Sequence, residues 1–443
     1  MKKIIFQSIV ILLLLASCSV EPETISIPTP LNTSTPVPIP TQPTPSEVQQ
    51  EFSIGLTYHS PDGNRYLEGF ADLPNTSPID IPLKGQPMWV VGTAVEGGSV
   101  WAVALADGTI QAFKIVDNKV SEITLNTNTL PAGQPPALGN FSGDLGLVFA
   151  PFNIGSTYNH PVVFNANQQA FLLQNGELVF KTGDDQVHLD INALHDGRLL
   201  TDGDGNILVL SGPTDQYDHG VLGDSIEASS ITLISNDGNQ LSVQPISIPA
   251  GKVIEGIMPV WVDLTGDGQR EIIVTLSDSS NGAQLAVFNQ AGELIALGDS
   301  IGQGYRWRHQ IAAAPFGPNG ELEIVDVLTP HIGGTVEFFQ LVGDMLVRVA
   351  QVSGYTSHVI GTRNLDMAVA GDFDNDGIIE LLLPGQDRTT LGGIQRTETG
   401  AVVDWELPLN GILISNLGSV AFQDGSIGIA AGLDNGTLMI WLP

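Results

Sequence analysis

The chain has a single cysteine, Cys18, in 443 residues. That excludes disulfides, thiolate metal sites and a cysteine nucleophile from everything after it. Basic residues are also scarce: 16 Lys and Arg stand against 48 Asp and Glu, a formal net charge of −32. Such a balance excludes nucleic acid as a partner and argues against electrostatic docking onto anionic lipid. It is compatible with cations, cationic partners or neutral sugars, and most of the carboxylates serve as a solvated surface. Helical patterning is missing too. After the N-terminal leader no stretch of ten or more residues carries a helical period.

What is present begins with an export signal. Met1-Lys2-Lys3 is a short positive start, and Ile4 to Leu15 is an apolar run broken only by Gln7 and Ser8. About a dozen residues suit a signal-peptide core and are too few to cross a bilayer of ~30 Å. Leu15-Ala16-Ser17-Cys18 resembles the bacterial lipobox, which implies cleavage after residue 17 and acylation of Cys18. The expected location is a bacterial membrane, lipid-anchored and facing outward, at the cell surface or in the periplasm. Two or three acyl chains hold firmly where one is marginal, because each buried CH₂ contributes ~0.8 kcal/mol.

Residues 18–50 read as a stalk. Between 21 and 50 there are eight prolines, six threonines and three serines, too little apolar surface to offset the entropy of ordering. Extended polyproline II at ~3.1 Å per residue gives such a segment a reach of up to ~90 Å. A proline-rich docking motif is the rival reading.

From Glu51 to Pro443 the sequence is Gly-rich with short Val/Ile/Leu runs, such as Trp89-Val-Val91, Ile272-Ile-Val-Thr-Leu276 and Leu381-Leu-Leu383. Asp107-Gly108, Asn175-Gly176, Asp196-Gly197, Asn319-Gly320, Asp424-Gly425 and Asn435-Gly436 divide them, as hairpin turns do. The body is expected to be all-β. Nearly 400 residues exceed one sandwich core, and a unit of about 50–65 residues recurs from near Pro78, Leu130, Gln186, Gly251, Gln303, Tyr355 and Gly411. That period suits four-stranded blades of a β-propeller. Seven blades are expected, with six or eight as alternatives. The last unit, Ile412–Pro443, is a strand short, and the opening strand Phe52–Tyr58 is expected to complete it and close the ring.

Two loops carry a metal signature. They are Asp372-Phe-Asp374-Asn-Asp376-Gly377-Ile-Ile-Glu380 and Asp263-Leu-Thr265-Gly-Asp267-Gly268-Gln-Arg-Glu271, each followed by an apolar strand. Oxygen side chains at positions 1, 3, 5 and 9 can surround one point when Gly at position 6 permits a sharp turn, and hard oxygen donors suit Ca²⁺. A strand after position 9 excludes the helix-flanked EF-hand. The pattern Gly-Asp-x-Asp-x-Asp-Gly-x-x-Glu-apolar resembles the FG-GAP/VCBS repeat of integrin-α-like β-propellers. The resemblance implies Ca²⁺ held by Asp372, Asp374, Asp376, the Ile378 carbonyl and Glu380, and in the other loop by Asp263, Thr265, Asp267, the Gln269 carbonyl and Glu271. Thr265 stands where an acid is usual, so the second site is expected to be weaker. Asn140-Phe-Ser142-Gly-Asp144 reads as a degenerate, empty copy, and Asp202-Gly-Asp204-Gly-Asn206 as a hairpin turn.

None of the eight histidines lies in a zinc motif or has a Gly-x-Ser-x-Gly elbow beside it. Arg306-Trp307-Arg308-His309, His331, Tyr355 and His358 recur at related points of two consecutive units. They are read as a possible pocket for a small polar or anionic ligand, with Trp307 and Tyr355 as stacking faces for a sugar. Hydrogen bonding between blades is the alternative use. No catalytic residues are assigned. The expected function is a non-catalytic module that binds a protein or carbohydrate. The alternatives are a polysaccharide lyase or glycosidase of the envelope and an envelope-assembly scaffold.

Overall fold

A computed structural model describes residues 52–236 and 240–443, and these hold strands and no helix. The leader, the Cys18 anchor and the Pro/Thr stalk lie outside the described residues. Among the described residues no helix is long and apolar enough to cross a membrane.

Seven groups of four strands follow one another, over 87–123, 162–190, 200–247, 260–297, 308–353, 369–408 and 413–441. The last group takes its fourth, outermost strand, Ile79–Pro82, from the N-terminal side, in antiparallel register with Thr437–Ile440. An eighth sheet has three strands, Phe52–Gly55, Ala137–Phe141 and Asp144–Val148. The architecture is a β-propeller whose last group is completed by a strand from the N-terminal side.

Inner strands are continuous apolar runs because both of their faces are covered. In Glu271–Asp278, Ile272, Val274 and Leu276 enter one hydrophobic cluster while Ile273 enters another, between the next pair of sheets. Outermost strands alternate instead, as in Met345–Ser353, where buried Leu346 and Ala350 are separated by exposed residues. Gly108, Gly176, Gly425 and Gly436 turn their hairpins at φ of 77–87°, a region open to glycine at no steric cost.

The fold corrects two expectations. The closing strand is Ile79–Pro82 and not Phe52–Tyr58. Phe52–Gly55 pairs with Ala137–Phe141 instead, and residues 56–65 fill the middle of the ring. There Tyr58 Oη donates to Leu199 O (2.9 Å), and Asn64 Nδ2 donates to Ala313 O (2.8 Å). Arg65 Nε donates to Asp366 Oδ1 (3.0 Å), and Asn416 Nδ2 donates to Thr57 O (3.3 Å). These partners lie in, or at the entry to, four different groups, so only the chain after this crossing is free to reach the rim. Second, Gln186 does not begin a unit but lies in the outermost strand Asp185–Asp190. The span between Leu130 and Gln186 holds the short hairpin 137–148 and most of a four-stranded group.

Candidate functional site: the acidic loops and the opposite mouth

Strand direction alternates within each group, so loops joining first and second strands share one face of the ring. Loops joining second and third strands, and connections between groups, share the other. Both acidic loops are of the first kind, and the histidine cluster lies among the second kind.

Asp372 ends the strand Val369–Asp372 and Glu380 begins Glu380–Pro384. Fully buried Phe373 pins the loop down, and left-handed Asn375 (φ 63°) and Gly377 (φ 84°) curl it back on itself. Its amides converge on its own acids. Gly377 N donates to Asp372 Oδ2 (3.1 Å), Ile378 N to Asp376 Oδ1 (2.8 Å) and Phe373 N to Glu380 Oε2 (2.7 Å). Asp372 is 7 % exposed, and its Oδ1 is buried without a hydrogen-bond partner. Carboxylate oxygens of Asp372, Asp374 and Asp376 lie within 4.8 Å of one another.

Asp374 belongs to a second such triad with Glu380 and Asp404. The sequence reading missed Asp404, which comes from the outermost strand Gly400–Pro408. Gly393 pairs with Trp405 and Ile394 with Val403, so Asp404 is the extra residue of a β-bulge. Bulges re-aim side chains, and this one brings Asp404 to the loop. The next residue, Trp405, donates its indole N–H to Glu380 Oε1 (2.6 Å). Only glycine fits opposite it, since a Cβ at Gly393 would stand 2.4 Å from the indole. Burial, with Asp376 nearby, pushes Asp374 up to about 6. Burial likewise raises Glu380 to about 8, against its hydrogen bonds from Phe373 and Trp405. Burial also raises Asp372. Two carboxylate triads that share Asp374, one of them with an orphaned buried oxygen, suit a hard cation such as Ca²⁺, which takes six to eight oxygen ligands.

The Asp263 loop keeps the frame and loses much of the charge. Both oxygens of Asp263 are taken by loop amides, Gly266 N at 2.7 Å and Gly268 N at 3.0 Å. Asp267 Oδ1 accepts from Gln269 N (2.8 Å), and Glu271 Oε2 accepts from Leu264 N and Thr265 N (2.9 and 3.0 Å). Thr265 is exposed. The bulge recurs in register, with Val287 opposite Ala296 and Phe288 opposite Leu294, but the bulged residue is Ile295. Among the described residues no acidic triad forms here.

A third copy of the frame lies between them and escaped the sequence reading. Pro315-Phe-Gly-Pro-Asn-Gly-Glu-Leu-Glu323 keeps the buried aromatic at position 2, glycine at 6 and Glu at 9, and has no acid at 1, 3 or 5. Glu323 is fully buried, and Arg396 Nε from the neighbouring group donates to it at 2.8 Å. Asn140–Asp144 is no such loop but a two-residue hairpin turn, with Phe141 opposite Asp144. Asp202 accepts from Asp204 N and Asn206 N and is a turn, as expected.

On the opposite face only part of the expected pocket assembles. Trp307 stacks on His309 (centroids 4.8 Å apart) and meets His358 edge-on, and His331 Nε2 lies 2.7 Å from His358 Nδ1. Burial holds His331 down to about 4 and His358 to about 3, so this group is neutral. Arg308 points the other way, into an ion pair with Asp326 (2.9 Å) and Glu337. Arg306 is tied to its own loop at Ile301 O, and Tyr355 Oη donates to Glu406 (2.8 Å). Nearby, Glu255 is fully buried against His219 and Ser277. Burial, aided by Glu255, raises Glu227 to about 9. Gly298-Asp-Ser300-Ile-Gly302 has the spacing of a serine elbow, but Ser300 is exposed in a loop between strands.

No protein-family model matches the sequence, and no curated protein matches it. Solved structures do. BamB from Moraxella catarrhalis is 10 % identical, covering 83 % of this chain and 100 % of that one, with a TM-score of 0.48. The Dos1 propeller is 9 % identical, with 85 % and 95 % covered and a TM-score of 0.41. A europium-containing methanol dehydrogenase is 10 % identical, with 85 % and 90 % covered and a TM-score of 0.51. These likenesses speak to the fold alone.

Proposed function

We propose that the chain is a lipid-anchored, extracytoplasmic β-propeller of the FG-GAP/VCBS kind. Its Asp372 loop binds structural calcium, and its surface binds a protein or carbohydrate. The observation that carries the calcium reading is the orphaned, buried Oδ1 of Asp372 in the Asp372–Asp374–Asp376 triad, which shares Asp374 with a second triad. An uncompensated cluster of this kind repels itself, and a divalent cation is the simplest remedy. A binding role is favoured over hydrolysis by the condition of the acids at the opposite mouth. A glycosidase needs two carboxyl groups facing one cleft about 5–9 Å apart. Glu227 is 3 % exposed, and both Glu255 oxygens are engaged by protein groups.

The test is a thermal melt of the full chain in about 1 mM calcium and in chelator. A calcium-dependent rise in melting temperature, absent from Asp372→Ala/Asp376→Ala, is expected. No rise would leave the loop an empty acidic turn. Turnover of any member of a polysaccharide panel by the full chain would replace the binding role with an enzymatic one.

A further inference from the structure

A second cluster, on the face opposite the acidic loops, has the chemistry of a different metal. His195 and Asp196 stand in the connection leading into Leu200–Thr201, and Asp224 in the loop between Ile207–Thr214 and Glu227–Asn236. One donor atom from each lies within 4.8 Å of the others. The imidazole sits between the two carboxylates, with Nδ1 3.9 Å from Asp196 Oδ1 and Nε2 3.6 Å from Asp224 Oδ2. Both separations are too long for a hydrogen bond. They run to different ring nitrogens, so one of them can be an edge between ligands of a single ion, two atoms each about 2.1 Å from one zinc being roughly 3–4 Å apart, and the other carboxylate reaches that ion only after the ring turns.

Asp196 supplies the independent sign of a missing partner. It is 1 % exposed, and Oδ1, the oxygen facing His195, is buried with no hydrogen-bond partner. Its other oxygen is held by Arg363 Nε at 2.6 Å, and Arg363 Nη2 also holds Asp224 Oδ2. Arg363 is itself fixed by packing over the Tyr158 ring, 4.3 Å from its centroid, and Tyr158 meets His195 edge-on. Ile226 N donates to Asp224 Oδ1 (2.9 Å). The acids are therefore oriented by an outer layer of contacts, as metal ligands generally are.

We propose that His195, Asp196 and Asp224 bind a divalent ion of the zinc–cobalt type, separately from the calcium loops. One imidazole among two carboxylates favours such borderline ions over Ca²⁺ and Mg²⁺, which prefer oxygen alone. The side chains of His195 and Asp224 are 35 % and 31 % exposed, so the ion faces solvent. Three protein donors with positions left for water or an anionic oxygen ligand are the arrangement of an open zinc site.

The experiment titrates Zn²⁺ into the full chain, with calcium kept at about 1 mM to fill the oxygen loops, and repeats the titration with Co²⁺ followed by visible absorption. One Zn²⁺ per chain is expected, together with Co²⁺ ligand-field bands. His195→Ala, at a partly exposed position, should lower Zn²⁺ affinity at least tenfold and abolish the bands. It should leave the melting temperature in chelator and the calcium response unchanged. His188→Ala, at an exposed histidine beside Glu177, should change nothing. Absence of Zn²⁺ binding, or binding that survives His195→Ala, would overturn the proposal and leave an imidazole between two aspartates only.

Discussion

Three consecutive groups carry the same nine-residue loop, and their differences show what the frame needs and what a cation needs. All three keep a buried apolar residue at position 2 (Leu264, Phe316, Phe373), glycine at 6 and glutamate at 9. In the first and third, the glutamate accepts a backbone amide of its own loop, which is a structural role. The acids at 1, 3 and 5 are complete only in the third. There the bulge adds Asp404, where the first loop has Ile295. In the middle loop those acids are gone, and the buried Glu323 is neutralised by Arg396. The frame is thus maintained without acids at 1, 3 and 5, by packing together with loop amides or Arg396, and any cation binding would depend on side chains added to it.

The largest expected effect is common to all three loops and must be separated first. Burial holds His59 and His160, in the middle of the ring, down to about 4. They are neutral when folded and charge near 6.5 when unfolded. Stability is therefore full above about 6.5 and is lost as pH falls from there towards 4, by up to about 1.4 kcal/mol per pH unit for each histidine. Melts in chelator between pH 7.5 and 4 should show this fall, offset where the raised Asp374 and Glu380 take up protons, and calcium should protect less at acid pH because those protons compete with the ion. A chelator melt that does not fall towards pH 4 would mean that the ring interior does not set the acid limb.

The middle loop comes next. Arg396→Ala leaves Glu323 charged, buried and unpaired, and a loss of about 3–5 kcal/mol in urea unfolding is expected. A loss under about 1 kcal/mol would show that Glu323 finds another partner, such as Gln340, whose Nε2 already donates to it at 3.0 Å.

Calcium separates the outer two loops. With dissociation constants of about 10⁻⁵–10⁻⁴ M and about 1 mM calcium, a filled site adds roughly 1.4–2.7 kcal/mol. Asp372→Ala/Asp376→Ala should remove most of the calcium-dependent stability, and Asp263→Ala/Asp267→Ala little of it. Equal losses would break the comparison. Asp404→Ala alone is expected to weaken calcium about tenfold, read by calorimetry, with the melt in chelator unchanged or slightly raised, since one repelling carboxylate has gone.

The two acidic loops and the strand-rich body were legible because they are local: spacing, glycine at position 6 and apolar runs are all contiguous in sequence. Asp404 was not, since it follows the motif's last residue by 24 positions and reaches the loop through a register shift that no local pattern announces. Asp196-Gly197 is a turn, as read, with Gly197 N donating to Leu194 O (2.9 Å), but it joins two groups and not two strands of one hairpin, and only the fold sets Arg363 against Asp196. The closing strand was misplaced for a similar reason. Phe52–Tyr58 and Ile79–Pro82 are both plausible β segments, and what decides between them is that residues 56–65 are spent inside the ring. Trp307, His309, His331 and His358 do come together, while Arg308 was misjudged because adjacent strand residues point to opposite faces.

The smallest expected effect is a gain, and it asks whether the difference between the two outer loops is confined to the residues named. Thr265→Asp restores an acid at position 3, and Ile295→Asp places one at the bulge where the other loop has Asp404. Ile295 is partly exposed, so the second change does not bury a charge in a sealed core. In chelator the double variant should be slightly less stable than the parent, because two acids have joined Asp263 and Asp267 without a counterion. In calcium the order should reverse, with one additional Ca²⁺ per chain by calorimetry. If the extra ion does not bind, the limiting factor is the backbone. The two amides that already bond Asp263 would then hold its oxygens away from the centre, and the orphaned oxygen of Asp372 would be the feature that distinguishes a site from a turn.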